Sequence, residues 1–219
     1  MKKIILLLLL AFNYTLFQCF GQAKVGQPFI DSLLHELPKA KEDTGKVTLL
    51  NLISDKYRKI NPDEGIKTGK QALILAEKLN WKKGIANSNR LIGVNKFSKA
   101  DYAGALENWQ KSLKLNEELG DKKGISKVLG NIGLVYKNKS DYAKALEYYF
   151  KANSIDEELE NKDGIAINLG NIGNVYLEQS NYPNALIYYL KALQLFEELK
   201  NKDGTVSYTH LTLPTNREV

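Results

Sequence analysis

The residues whose chemistry could make this chain an enzyme are its carboxylates, its two histidines and its single cysteine, and their spacing argues against that use. Glutamates recur as adjacent pairs, Glu117-Glu118, Glu157-Glu158 and Glu197-Glu198. Paired carboxylates do acid–base work when one pocket gives them unequal surroundings. A pair that returns at a fixed interval instead reads as a solvated helix face. His35 and His210 lie far apart in sequence, which leaves no two-histidine metal site. Cys19 is the only cysteine and falls in a leader-like segment, so the remainder is expected to hold no disulfide, thiolate nucleophile or thiolate metal ligand. The glycines of Gly130-Asn131-Ile132-Gly133 follow no strand, as a phosphate-binding loop would require. Tyr148-Tyr149 and Tyr188-Tyr189 could form a stacking platform, but one core tyrosine beside a partly exposed neighbour is the plainer expectation. No catalytic residue, cofactor or metal is expected.

The elements behind these residues come from self-similarity at a spacing of 40 residues. Gly84, Gly124, Gly164 and Gly204 form one series, Gly93, Gly133 and Gly173 a second, and Ala105, Ala145 and Ala185 a third. Each unit holds two apolar helical patterns. Ile125, Val128, Leu129, Ile132, Val135 and Tyr136 line one face over 125–138, and Ala145, Leu146, Tyr149, Ala152, Ile155 and Leu159 line another over 142–158. Lys139-Ser140-Asp141 supplies a polar turn with Asp141 as N-cap, and Gly164 is expected to take a left-handed backbone between units. The helix-interior Gly133 and Gly173 each cost about 1 kcal/mol against alanine, so they imply close packing of one helix on the next. Helix pairs of this kind cannot cover their own apolar faces and must stack.

The run Leu129-Gly130-Asn131-Ile132-Gly133-Leu134-Val135-Tyr136, followed by Asp141-Tyr142, Ala145-Leu146, Tyr149 and Ala152, resembles the tetratricopeptide repeat, and residues 169–192 repeat it. The period is similar to that of the extended repeats of kinesin light chains and spindle-orientation adaptors. The likeness weakens in the first two units, where Lys96 replaces the tyrosine, Asn89 the leucine and Gly65 the alanine. It implies an all-α, right-handed superhelical solenoid of antiparallel helix pairs: a lead-in over 24–43, a degenerate unit over 44–83, and repeats over 84–123, 124–163 and 164–204. It also implies that the first helix of each pair lines a groove for a protein or peptide partner. Asn131 and Asn171 fall where such repeats often hold an asparagine against a bound backbone, an amide offering both donor and acceptor. Lys127, Lys137 and Asn138 in one unit, Asn174 and Glu178 in the next, and Asn87 and Arg90 in an earlier one belong to the same surface. The plainer alternative is that the asparagines bond neighbouring helices or water.

The chain carries a net charge of +6, spread in short groups among acidic neighbours, which argues against a nucleic-acid partner. Lys2, Lys3, an apolar run over 4–12 and Gly21-Gln22-Ala23 read as a cleaved export leader, giving an expected periplasmic or envelope location. An uncleaved anchor and a lipoprotein signal at Cys19 are the alternatives. Residues 205–219 break the helical pattern and read as a non-native or irregular tail. If the natural protein continues, the array could be the extracytoplasmic input of a histidine kinase or nucleotide cyclase, with a membrane contact only through a later span.

Overall fold

The computed structural model describes residues 26–199, so the leader and the tail lie outside the described residues. The described chain is all helix and turn. After α1 (26–36) and a single 3-10 turn at Leu37–Lys39 come α2 (Thr44–Tyr57), α3 (Pro62–Lys78), α4 (Lys82–Ser98), α5 (Tyr102–Glu118), α6 (Lys122–Asn138), α7 (Tyr142–Glu158), α8 (Lys162–Glu178) and α9 (Tyr182–Glu198). They fall into two compact units, divided between Asp101 and Tyr102.

The turns generate the repeat. From α3 onward each helix has 17 residues, and α3 to α8 each end in a three-residue connection whose middle member takes a left-handed backbone: Asn80, Ala100, Gly120, Ser140, Glu160 and Ser180, with φ from 50° to 62°. At 159–161 the Glu160 N–H donates to Glu157 O at 3.0 Å and the Asn161 N–H to Asp156 O at 2.9 Å, the two bonds of a Schellman cap. The next residue caps the following helix: Asp141 Oδ1 accepts from the Lys144 N–H at 3.2 Å, and Asp121 Oδ1 from the Gly124 N–H at 2.9 Å. Gly164 does not take the left-handed backbone expected of it; Glu160 does, at φ 50°. Gly164 instead sits inside α8 because a Cβ there would lie 2.4 Å from the Asp156 carboxyl carbon.

In the first unit α2 packs on α3 and both on α4. Ile30 of α1 closes against Ile53 and Tyr57, and Val47 and Leu50 against Ala72, Leu75 and Ala76. In the second unit each helix packs on the next from α5 to α9, and α6 also meets α8. Ala145 and Tyr149 of α7 form a core with Ile172 and Val175 of α8. The helix-interior glycines serve rings: a Cβ on Gly133 would lie 2.9 Å from Tyr149, and one on Gly173 2.7 Å from Tyr189. Tyr149 and Tyr189 are buried, while Tyr148 and Tyr188 stack face to face on Tyr136 and Tyr176 with centroids 5.4 Å apart in each pair. The aromatic pairs are therefore one core ring and one half-buried neighbour.

Candidate functional site

The first helices of the second unit present a half-buried stripe. Along α6 it runs Lys127, Asn131, Leu134 and Asn138, and along α8 Ile167, Asn171, Asn174 and Glu178, at helical spacings of three and four. The flank beside the stripe is core: Val128, Ile132 and Val135 in α6, Ile172 and Val175 in α8. Amphipathicity thus fixes which polar side chains reach solvent on this side.

Several of the residues picked out from sequence are engaged with one another. Lys137, 17% exposed, donates to Glu178 Oε1 at 2.9 Å, joining α6 to α8. Asn174 Oδ1 accepts from the Tyr189 hydroxyl at 2.7 Å, and Asn138 donates to the Tyr102 hydroxyl at 3.4 Å. These three bonds hold helices in place, so the residues shape the stripe. Lys127 is exposed and Asn171 half-buried on the same face.

Asn131 differs. Its Nδ2 is buried without a hydrogen-bond partner, although the residue itself is half-buried at the surface. The Tyr149 hydroxyl is also buried and unpartnered, because Leu134 stands where Asn174 serves Tyr189. Burial, with the nearby Glu178 carboxylate, raises the Tyr149 pKa well above that of a free phenol, so the group stays a donor at neutral pH. An orphaned buried donor costs about 1–3 kcal/mol.

In the first unit Asn87 and Arg90 are brought together: Asn87 Oδ1 accepts from Arg90 Nη2 at 2.8 Å and Nε at 3.3 Å. Burial lowers the Arg90 pKa, and the Asp55 carboxylate offsets part of that while Arg58 adds to it. Leu91, in the place of Asn131 and Asn171, is 2% exposed and contributes to the core.

The first unit also holds a cleft that the sequence reading missed. It encloses about 520 Å³ between Leu37, Pro38, Leu50, Ile74 and Leu75, with Lys78 donating to Glu42 at 2.8 Å at its rim. The sequence carried one signal for it. Ile74 is 65% exposed at a position where the later repeats have Lys114, Ser154 and Gln194.

The paired glutamates lie on the outside, as side-chain acceptors. Glu158 receives Lys122 at 2.6 Å and Glu198 receives Lys162 at 2.9 Å, each tying the start of the first helix of a pair to the end of the second. Among the described residues no cluster of three or more His, Cys, Asp or Glu could hold a metal.

Residues 124–198, the stretch containing α6 to α9, match the tetratricopeptide repeat family. This stretch is a tetratricopeptide repeat region, and the described helices share that type of fold. Solved structures agree on the fold. The tetratricopeptide array is similar to aspartyl phosphate phosphatase F from Bacillus subtilis, at 16% identity and a TM-score of 0.73 over 89% of this chain and 53% of that one. It is similar to a Rap protein complexed with competence and sporulation factor, at 20% identity and a TM-score of 0.77, over 86% of this chain and 54% of that one. A third likeness is to a signal transduction ATPase with a tetratricopeptide repeat sensor from Pyrococcus horikoshii, at 21% identity and a TM-score of 0.66, covering 85% of this chain and 29% of that one. The chain thus spans about half the length of the first two of these structures. No curated protein matches it.

Proposed function

We propose that this repeat array is a binding module that holds a segment of a partner protein or peptide against the first-helix stripe of α6 and α8. The observation that carries the reading is Asn131, a half-buried amide whose Nδ2 has no partner within the fold. The equivalent position in α4 accommodates buried Leu91, so the site does not demand a polar group. A rotation of the amide about its terminal torsion presents the donor outward, where a backbone carbonyl of an extended segment can accept it. Asn171 repeats the amide one unit on. Lys127 and Asn138 supply further polar contacts beside Leu134 and Ile167, which give the stripe an apolar component. One similar structure, the Rap protein, is complexed with competence and sporulation factor, which is in keeping with a ligand-binding use of the fold.

The test is to select a peptide against the wild-type chain by display and to measure its affinity for the Asn131→Ala/Asn171→Ala variant. A loss of about tenfold or more with unchanged helical circular dichroism supports the assignment. Unchanged affinity places the binding elsewhere.

A second reading makes the array the sensory input of a longer signalling protein, exported by the leader at 1–23. It is favoured by the likeness to a repeat sensor within a signal transduction ATPase. Sequencing the natural gene past the codon for Gly204 decides between them. An apolar run of about 20 residues followed by a catalytic domain supports the sensor; a stop after one further helix supports a free-standing exported adaptor.

A further inference from the structure

The cleft of the first unit is built by three elements, none of which belongs to the stripe of α6 and α8. The 3-10 turn brings Leu37 and Pro38 to one side, α2 gives Lys46 and Leu50 one turn apart, and α3 gives Gln71, Ile74, Leu75 and Lys78 at spacings of three and four. Its floor is core. Leu50 and Leu75 are both buried, and Leu37 packs against the cluster they form. Pro38, at the start of the turn, fixes the backbone of that wall.

On this face α3 departs from the later second helices in both polarity and charge. Where α7 carries Lys151, Ser154 and Glu158, and α9 Lys191, Gln194 and Glu198, α3 carries Gln71, Ile74 and Lys78. The ion pair that closes each helix pair is kept with its sign reversed: Lys122 and Lys162 donate to Glu158 and Glu198, whereas here Lys78 donates to Glu42. An ammonium thus stands one turn from the exposed Ile74, where α7 and α9 would set a carboxylate. Lys46 bears on the same acid. The Glu42 carboxyl is held below the usual carboxylate range by the hydrogen bond from Lys78, then by the charges of Lys78 and of Lys46. Nearby Asp43 is engaged as the N-cap of α2, accepting from the backbone N–H groups of Gly45 and Lys46. The charged groups lining the cleft are therefore two ammoniums and one carboxylate, an excess of positive charge above an apolar floor.

We propose that this cleft binds a free alkyl carboxylic acid, with its chain on Leu50, Leu75 and Ile74 and its carboxylate at Lys46 and Lys78. The volume of about 520 Å³ is that of a small-molecule site, and a mostly apolar lining with a few polar groups is how such sites fix a ligand's orientation. Charge complementarity selects the head group. A carboxylate meets the excess ammonium, a neutral alcohol gains the apolar contact alone, and a cationic head is repelled. The turn and the Lys78–Glu42 pair bound the cleft, which suits a compact ligand better than a continuous peptide. The rim lysines are exposed, so the preference for the acid is expected to shrink as salt is added.

The full chain is titrated calorimetrically at low salt with decanoate, decanol and decyltrimethylammonium, each below its micelle concentration, beside Ile74→Ser and Lys46→Gln. Ile74→Ser installs the residue α7 carries at an exposed position, and unchanged helical circular dichroism verifies that both variants fold. The expected result is one decanoate per chain, bound about tenfold or more tighter than decyltrimethylammonium. Ile74→Ser should weaken decanoate about threefold or more, and Lys46→Gln should remove most of its advantage over decanol. The proposal is overturned if decanoate does not bind, if the cationic amphiphile binds as tightly, or if neither substitution changes the decanoate affinity. It is equally overturned if a display-selected peptide loses affinity in Ile74→Ser while decanoate fails to compete with it.

Discussion

Gly65 and Asn95 are a matched pair: a Cβ on Gly65 would lie 2.0 Å from the Asn95 Oδ1, so the glycine is the space in which the asparagine amide sits. Asn95 Nδ2 donates to Ser54 O at 3.0 Å and to Leu91 O at 3.0 Å, tying α4 to α2 in the core of the first unit. At the same register in the second unit Ala145 faces Val175, and both are fully buried. One repeat fills the contact with a polar side chain and a glycine, another with two apolar side chains of complementary size.

Gly65→Ala alone is expected to destabilise the protein by about 1–2 kcal/mol, because overpacking outweighs the gain of roughly 1 kcal/mol in helix propensity. Gly65→Ala together with Asn95→Val should recover most of that loss by installing the pairing of Ala145 with Val175. A double-mutant cycle in urea denaturation measures the coupling; purely additive effects would contradict the direct contact.

Two glycines three residues apart on α6 should respond with opposite signs. A Cβ on Gly133 would press on the Tyr149 ring at 2.9 Å, whereas one on Gly130 would meet only Asn168 Oδ1 at 3.5 Å, an ordinary contact. Gly133→Ala should lower the urea midpoint by the equivalent of about 1–3 kcal/mol. Gly130→Ala should raise stability by up to about 1 kcal/mol through helix propensity.

Asn131 should show a conflict between stability and binding. Asn131→Leu copies Leu91 and removes an orphaned donor, so it is expected to stabilise the fold by about 1 kcal/mol while weakening the selected peptide. Thermal unfolding and peptide titration on the same preparation check both signs. Destabilisation with unchanged binding would make Asn131 a structural residue.

Asp156 is a buried acceptor at the junction of three helices. Its Oδ2 receives the Ser126 hydroxyl at 2.5 Å and Asn168 Nδ2 at 2.9 Å, and its Oδ1 receives Asn161 Nδ2 at 2.6 Å. Asp156→Ala strands three donors and should cost about 2–4 kcal/mol. Phe196 occupies the same position in α9 within an apolar cluster of Ala166 and Ala192. Replacing the whole node at once, Asp156→Phe with Ser126→Ala and Asn168→Val, should be less harmful than Asp156→Ala by equilibrium unfolding.

The helices were legible because their signal is local. The apolar spacing over 125–138 and 142–158 falls within α6 and α7, and Asp141 caps as its position after a polar turn suggests. The glycines were legible as close contacts, but not their partners. Gly133 and Gly164 both read as small residues in a repeat, yet one admits a tyrosine ring and the other a buried carboxylate. Of the candidate binding residues, Asn131 and Asn171 were singled out by position, whereas the engagement of Lys137 with Glu178 and of Asn174 with Tyr189 spans different helices and has no local trace. The cleft beneath Ile74 went unseen because a single apolar substitution on one repeat is too small a signal to separate from ordinary surface variation.

By itself the sequence determined the helical class, the 40-residue period and the face each helix buries, since these follow from backbone geometry and from apolar spacing at 3.6 residues per turn. Only the tertiary structure decided which polar groups are used up inside the fold and which are left over. Asn131 and Asn174 look alike in sequence, and what separates them is whether a hydroxyl from another helix lies within hydrogen-bonding distance of the amide.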